Sequence, residues 1–287
     1  MFPANFDYTR AGSIDEALAL LGRGDGAKLL AGGHSLLPMM KLRLAQPSGL
    51  IDIGRIPELA GISRGDNHVR IGAATTHATL ASSKVLAEDC PLLAEAAAKI
   101  ADPAVRNKGT LGGNIAHADP ASDLPAVLVA LGARIHLRSA AGSREVAARD
   151  FFLDLFTTAL GEAEILTAVD VPKLPFGTGS CYAKVEQPAS GFALCGAAAW
   201  VRLDGDGRTV GAALAYNGIA PTPVVVEVGA ALSARVPDDA AIERAVTDHL
   251  SVAEPLSDLH ASAEYRLHLA RVYGRRALEK ARDRARS

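Results

Sequence analysis

The chain has 287 residues, 49% apolar and 22% charged, a composition that excludes a disordered polymer and suits two folded domains or three small ones. Its 30 basic and 32 acidic side chains nearly cancel, so no long-range field favours nucleic acid or an anionic membrane. No apolar run is long enough for membrane insertion, and the opening MFPANFDYTR lacks the basic-then-apolar layout of a signal peptide, so a cytoplasmic protein is expected.

Taken in order, Phe6-Asp7-Tyr8 reads as a short strand, and Ser13-Ile14-Asp15-Glu16 as a capping box opening a helix with Ile14, Ala17, Leu18 and Leu21 on one face. Gly22 ends that helix. Lys28 to Ala31 is a buried strand, LLPMMKLRL from Ser35 onward starts a helix, and Leu50 to Ile53 is the next strand; together they form a small β/α unit. Beyond Arg55 a strand is expected at Val69–Ala73, a helix from Thr76 to Leu80, and an alanine-rich helix from Pro91 to Ile100 with proline in its first turn. Asp123 can cap a helix Leu124–Leu131. An edge-type strand follows at Ala133–Ser139, with further strands at Arg144–Ala147 and Ile165–Val171. The stretch PKLPFGTG, Pro172 to Gly179, is rich in proline and glycine and marks the domain boundary. After it, Ser180–Glu186, Phe192–Leu203 and Val210–Tyr216 read as an antiparallel meander with a turn at Asp204–Gly207. Helices are expected at about Pro223–Leu232, Asp238–Leu250 and Ser262–Arg284.

Two glycine pairs carry the chemistry. Ala31-Gly32-Gly33-His34-Ser35 follows a buried strand and precedes a helix, and Thr110-Leu111-Gly112-Gly113-Asn114 lies at the centre of VRNKGTLGGNIAHADPASDLP. Paired glycines remove the Cβ atoms from one side of a turn, so backbone N–H groups can converge on an anion. Two such cradles suit a pyrophosphate with a polar tail. The cysteines Cys90, Cys181 and Cys195 form no close pair and indicate neither a disulfide framework nor a zinc site.

AGGHSLLPMMKLR with ADPAVRNKGTLGGNIAHADPASDLPA, flanked by FDYTRAGSIDEAL and AEYRLHLARVYGRRAL, resembles the flavin subunits of the molybdenum hydroxylases, near the medium subunit of carbon monoxide dehydrogenase and the flavin domain of xanthine dehydrogenase. The likeness covers nearly the whole chain. It implies an α+β fold: a two-lobed FAD-binding domain of the PCMH type (1–55 and 56–174), then a C-terminal antiparallel three-stranded sheet with a helical bundle (178–287) that closes over the isoalloxazine. It implies FAD held by Ala31, Gly32, Gly33, His34, Ser35 and Leu36, by Thr110, Leu111, Gly112, Gly113 and Asn114, and by Asp123, Leu166, Lys184 and Phe192. Asp123 is expected to cap its helix with one oxygen and meet the cofactor with the other, and Lys184 to sit near the N1/C2 edge of the ring.

Substrate oxidation in this family occurs at molybdenum. His34 is therefore expected to donate a hydrogen bond to cofactor or loop, and His117 to serve the structure. A [2Fe–2S] cluster takes four thiolates and this chain has three cysteines, so the resemblance implies that the iron–sulfur and molybdenum centres sit on partner chains, a small [2Fe–2S] subunit and a large molybdopterin subunit, expected in a dimer of heterotrimers. Glu186 to Phe192 differs from the basic segment of close carbon monoxide dehydrogenase relatives. No cysteine-bearing insertion and no separate Gly-x-Gly-x-x-Gly fingerprint occurs. Two rivals stay open: a free-standing flavin oxidase or dehydrogenase, and an assembly module without cofactor.

Overall fold

The computed structural model describes residues 2–286. Its first sheet is parallel, with Gly49–Asp52 between Asp7–Arg10 and Lys28–Leu30. Parallel neighbours need crossovers, and the helices Ile14–Leu21 and Leu36–Lys41 lie in them. The Ser13 hydroxyl accepts from the Glu16 N–H as expected, while the Glu16 carboxylate reaches past Ser13 and accepts from the Gly12 N–H. Ile14, Ala17 and Leu18 then pack with Ile51 and Ile53 to make this lobe's core.

The second sheet is antiparallel, in the order Ile62–Arg64, His68–Gly72, Ile165–Pro172, Arg134–Ser139, Gly142–Ala147. Arg134–Ser139, expected at an edge, is paired on both sides. The edge on that side is the largely exposed strand Gly142–Ala147, whose pairing supplies the second ladder. The helices Pro91–Ala98, Leu111–His117 and Leu124–Ala130 contribute to the core built with this sheet. The strand Ile62–Arg64, the helix Lys84–Asp89 and the hairpin Phe152–Asp154/Thr157–Thr158 went unread in the sequence, each being too short to display a period.

The third sheet contains the expected meander, Thr178–Glu186, Ala193–Leu203 and Thr209–Asn217, and gains a fourth strand, Val224–Val226, where a helix had been expected. Three successive β-branched valines favour extended backbone, so the helix there begins only at Val228 and runs to Leu232. The strand Ala193–Leu203 is buried on both faces. Ala197, Ala199 and Val201 belong to the core shared with the long helix Ala263–Arg286, whereas Ala198 and Trp200 face the second lobe. Alanines at alternate positions let both neighbours approach, and the Trp200 indole N–H crosses the junction to the Ala130 carbonyl at 2.7 Å. Among the described residues no helix is long and apolar enough to cross a membrane.

Candidate cofactor site

A cavity of about 860 Å³ runs between the first two lobes, and Ser190, Gly191 and Phe192 from the third lobe complete its wall. That volume suits a large cofactor. Ala31, Gly32, Gly33, His34, Ser35 and Leu36 form one side. Gly33 has φ of +73°, a left-handed conformation natural to glycine. Gly32 faces the backbone of the other glycine segment: a Cβ there would overlap the Lys108 carbonyl oxygen and lie 2.8 Å from the Gly109 Cα. Among the described residues, the N–H groups of Gly32, Gly33, His34 and Ser35 meet no acceptor within the chain. Four successive free donors at a cavity wall are what an anion would need.

The second glycine segment is built differently from the cradle expected. Thr110 is an N-cap and Leu111–His117 a helix, so the glycines occupy its first turn. Their N–H groups are already engaged: Leu111 donates to the Thr75 carbonyl, Gly112 to that of Ala73, Gly113 to the Thr110 hydroxyl and Asn114 to the Thr110 carbonyl. Gly112 is glycine for packing, since a Cβ would lie 2.6 Å from the Ala73 Cβ. What this segment offers the cavity is the Thr110 and Asn114 side chains and the bare backbone of two glycines. Thr110, Gly112, Gly113 and Asn114 line it and Leu111, fully buried, does not. Asn114 donates to the Ser122 hydroxyl at 3.1 Å, leaving its own Oδ1 buried without a partner.

Asp123 lines the cavity, yet its side chain does not cap the helix Leu124–Ala130. Its Oδ1 accepts from the Tyr182 hydroxyl at 2.6 Å and its Oδ2 from Lys184 Nζ at 3.0 Å. Burial pushes the Asp123 carboxyl up to about 6, with Lys184 and Tyr182 pulling the other way. Lys184 is drawn inward by this pairing and by the Lys99 carbonyl, its side chain is 3% exposed, and it is not part of the cavity wall. The resemblance puts Lys184 near the ring edge; here its ammonium is paired with Asp123, because an isolated buried ammonium would be unstable. Leu166 and Phe192 both reach the wall, Leu166 buried and Phe192 47% exposed on the loop ahead of its strand.

His117 lines the cavity and packs on the Phe156 ring at 5.1 Å, and burial lowers its pKa. His77 and Ser122 are among the wall residues that escaped the sequence reading. His77, 3% exposed and lowered by burial to about 4, begins the helix His77–Ser82 with Nδ1 unpartnered, and Ser122 holds Asn114. Both reach the cavity through tertiary packing, for which no local signal exists.

These features fit an extended cofactor with a diphosphate: free donors in series, a glycine whose Cβ would separate the two segments, and an orphaned buried amide oxygen. The fold and cavity define a cofactor-binding α+β protein with a capping third lobe. Residues 4–174 match the family of the FAD binding domain in molybdopterin dehydrogenase, and residues 180–281 the CO dehydrogenase flavoprotein C-terminal domain. The chain is 41% identical to the carbon monoxide dehydrogenase medium chain of Afipia carboxidovorans, covering 100% of both. It is 39% identical to the 6-hydroxypseudooxynicotine dehydrogenase complex subunit alpha of Paenarthrobacter nicotinovorans, covering 100% of this chain and 97% of the relative. A solved Cu,Mo-CO dehydrogenase chain superposes with a TM-score of 0.95 at 41% identity, over 99% of this chain and 100% of the other. The chain belongs to the family of FAD-binding subunits of the molybdenum hydroxylases.

Proposed function

We propose that this chain is the FAD-carrying electron-transfer subunit of a multi-subunit molybdenum hydroxylase, taking electrons from a [2Fe–2S] subunit and delivering them to an external acceptor. The observation that carries the reading is the run of four unpaired N–H groups at Gly32–Ser35 on a cavity of cofactor size. FAD, when bound, supplies one- and two-electron chemistry. The N–H groups of the Gly32–Ser35 loop would hold its diphosphate; the Thr110 hydroxyl and Asn114 amide would bind polar groups of its chain; Leu166 and Phe192 would give apolar contact to its ring.

The three lobes, 1–55, 56–174 and 178–287, would act as one unit, because the Asp123–Tyr182 and Ala130–Trp200 contacts tie the third to the second. A small iron–sulfur subunit and a large molybdopterin subunit complete the assembly, as a dimer of heterotrimers in the cytoplasm, where three free cysteines stay reduced. Relatives of nearly equal similarity are named for carbon monoxide and for 6-hydroxypseudooxynicotine, so the partner chain is expected to set the substrate.

The test is an absorption spectrum of the purified chain, acid release of its chromophore, and a pull-down from the native host. Releasable FAD with co-purifying iron and molybdenum subunits supports the proposal. FAD reduced directly by a small molecule, with no partner, would establish the free-standing oxidase instead. Absence of flavin after reconstitution would sink the FAD role.

A further inference from the structure

Across the third sheet, register places Lys184 opposite Gly196 and Gly196 opposite Asn217. Tyr182 lies two residues from Lys184 on the same face, which is turned to the second lobe. Two positions of this sheet face, Tyr182 and Lys184, thus meet Asp123, and Asn217 stands behind the Tyr182 hydroxyl. Tyr182 is fully buried; its hydroxyl is 2.6 Å from Asp123 Oδ1 and 3.0 Å from the Asn217 side-chain oxygen position.

A phenol carries one proton, and the short contact to the carboxylate claims it. The Asn217 amide therefore serves the phenol best with its nitrogen turned toward it, giving a chain in which Asn217 donates to Tyr182 and Tyr182 donates to Asp123. Gly196 makes the space. A Cβ at that mid-strand position would overlap both the Tyr182 hydroxyl and the Asn217 amide. Glycine weakens a strand interior, so its presence under two buried polar groups marks a place where their contact takes precedence over strand stability.

We propose that Tyr182, backed by Asn217, is a positioning residue: its hydroxyl fixes the Asp123 carboxylate, with Lys184 on the other oxygen, as an oriented charge in the wall of the flavin cavity. The inference rests on the reading that this cavity holds FAD. It makes the third lobe the agent that sets the charge state of a second-lobe residue, so lobe docking and cofactor environment are one event. Lys184 and Glu186 face Asp123 from the strand of Tyr182. Lys99 of the second lobe is held by Glu95 and by the Tyr182 carbonyl, and the Cys195 thiol, pushed by burial up to about 12, stays neutral beside the phenol. Burial raises the carboxyl while Lys184 and Tyr182 stabilise its charged form, so deleting the hydroxyl must raise it further.

The experiment is a pH titration of the flavin absorption bands in the FAD-loaded full chain, comparing wild type with Asp123→Asn, Tyr182→Phe and Asn217→Ala. Phenylalanine fills the same volume and removes only the donor. The expected result is an inflection near pH 6 in wild type, absent in Asp123→Asn and moved up by about one unit in Tyr182→Phe. Asn217→Ala should move it the same way by less, and serves if Tyr182→Phe does not fold. An inflection lost in Asp123→Asn but unmoved in Tyr182→Phe and Asn217→Ala, even with lowered melting temperatures, would overturn the proposal and leave Tyr182 a structural residue. FAD bound to wild type with no inflection at all would also overturn it while leaving the FAD reading intact. Failure of wild type to bind FAD would remove both.

Discussion

A methyl group added at Gly32 and one added at Gly113 should have unequal effects, although the two glycines look alike in the sequence. At Gly32 it meets the carbonyl of Lys108 and the Cα of Gly109, backbone atoms that cannot yield without parting the two segments that wall the cavity. Gly32→Ala is expected to destabilise the apo chain by roughly 2 kcal/mol, the scale of an overpacked core, and to weaken FAD binding at least about tenfold. At Gly113 the nearest atom is the Thr110 hydroxyl at 2.9 Å, with only the Ala31 Cβ beyond it at 3.9 Å. There the helix-propensity gain of alanine offsets a small shift of the cap, so Gly113→Ala should stay within about 0.5 kcal/mol of wild type. Urea unfolding and a flavin-fluorescence titration read both. The motif pointed to the right place but not to the division of labour, because what separates a donor cradle from a packed helix start is where Thr75 and Ala73 lie, far away in the chain.

The helix Ala263–Arg286 shows the same limit at the scale of an element. Its apolar spacing, with Leu267, Ala270, Tyr273, Gly274 and Leu278 down one side, made it legible; Ala270, Gly274 and Leu278 are buried, Leu267 and Tyr273 are half-buried, and Leu269 and Ala277 join the buried side. Propensity alone would call Gly274 in its interior a defect that alanine repairs by about 1 kcal/mol. Yet the Tyr216 hydroxyl, donating to the Ala270 carbonyl at 2.9 Å, occupies the place where a Gly274 Cβ would be. Gly274→Ala is therefore expected to lower stability by roughly 1–3 kcal/mol despite the better helix former. A gain in the urea midpoint would show that Tyr216 swings aside. The meander was legible for a related reason: its strands are long enough to alternate. Short elements such as Ile62–Arg64 and the Phe152–Thr158 hairpin owe their conformation to neighbours already in place. The burial of Lys184 against Asp123 was not legible, because the pairing needs the third lobe docked on the second.

For the molecule as a whole, two buried groups on the cavity wall give opposing pH dependences. Asp123, raised to about 6, binds its proton more tightly folded than unfolded; its contribution is present below the usual carboxylate range near 4 and is lost as pH rises through 6. His77, lowered to about 4, binds its proton less tightly folded; its contribution is present above about 6.5 and is lost as pH falls through 4. Each is worth at most roughly 3 kcal/mol, over nearly the same window. The two slopes should largely cancel, leaving wild-type apo protein with a shallow melting-temperature profile between pH 4 and 6.5. Single substitutions separate them. Relative to Asp123→Asn, wild type should lose stability as pH rises from 4 to 6; relative to His77→Gln, it should gain stability over the same interval. Melting curves at four or more pH values give both differences, and only their change with pH matters, because each substitution also alters packing by a constant amount. Parallel profiles for wild type and Asp123→Asn would mean that the carboxylate titrates alike in the folded and unfolded chain. The buried pair with Lys184 would then be fully compensated, and the cavity wall would carry its charge at no cost to the fold.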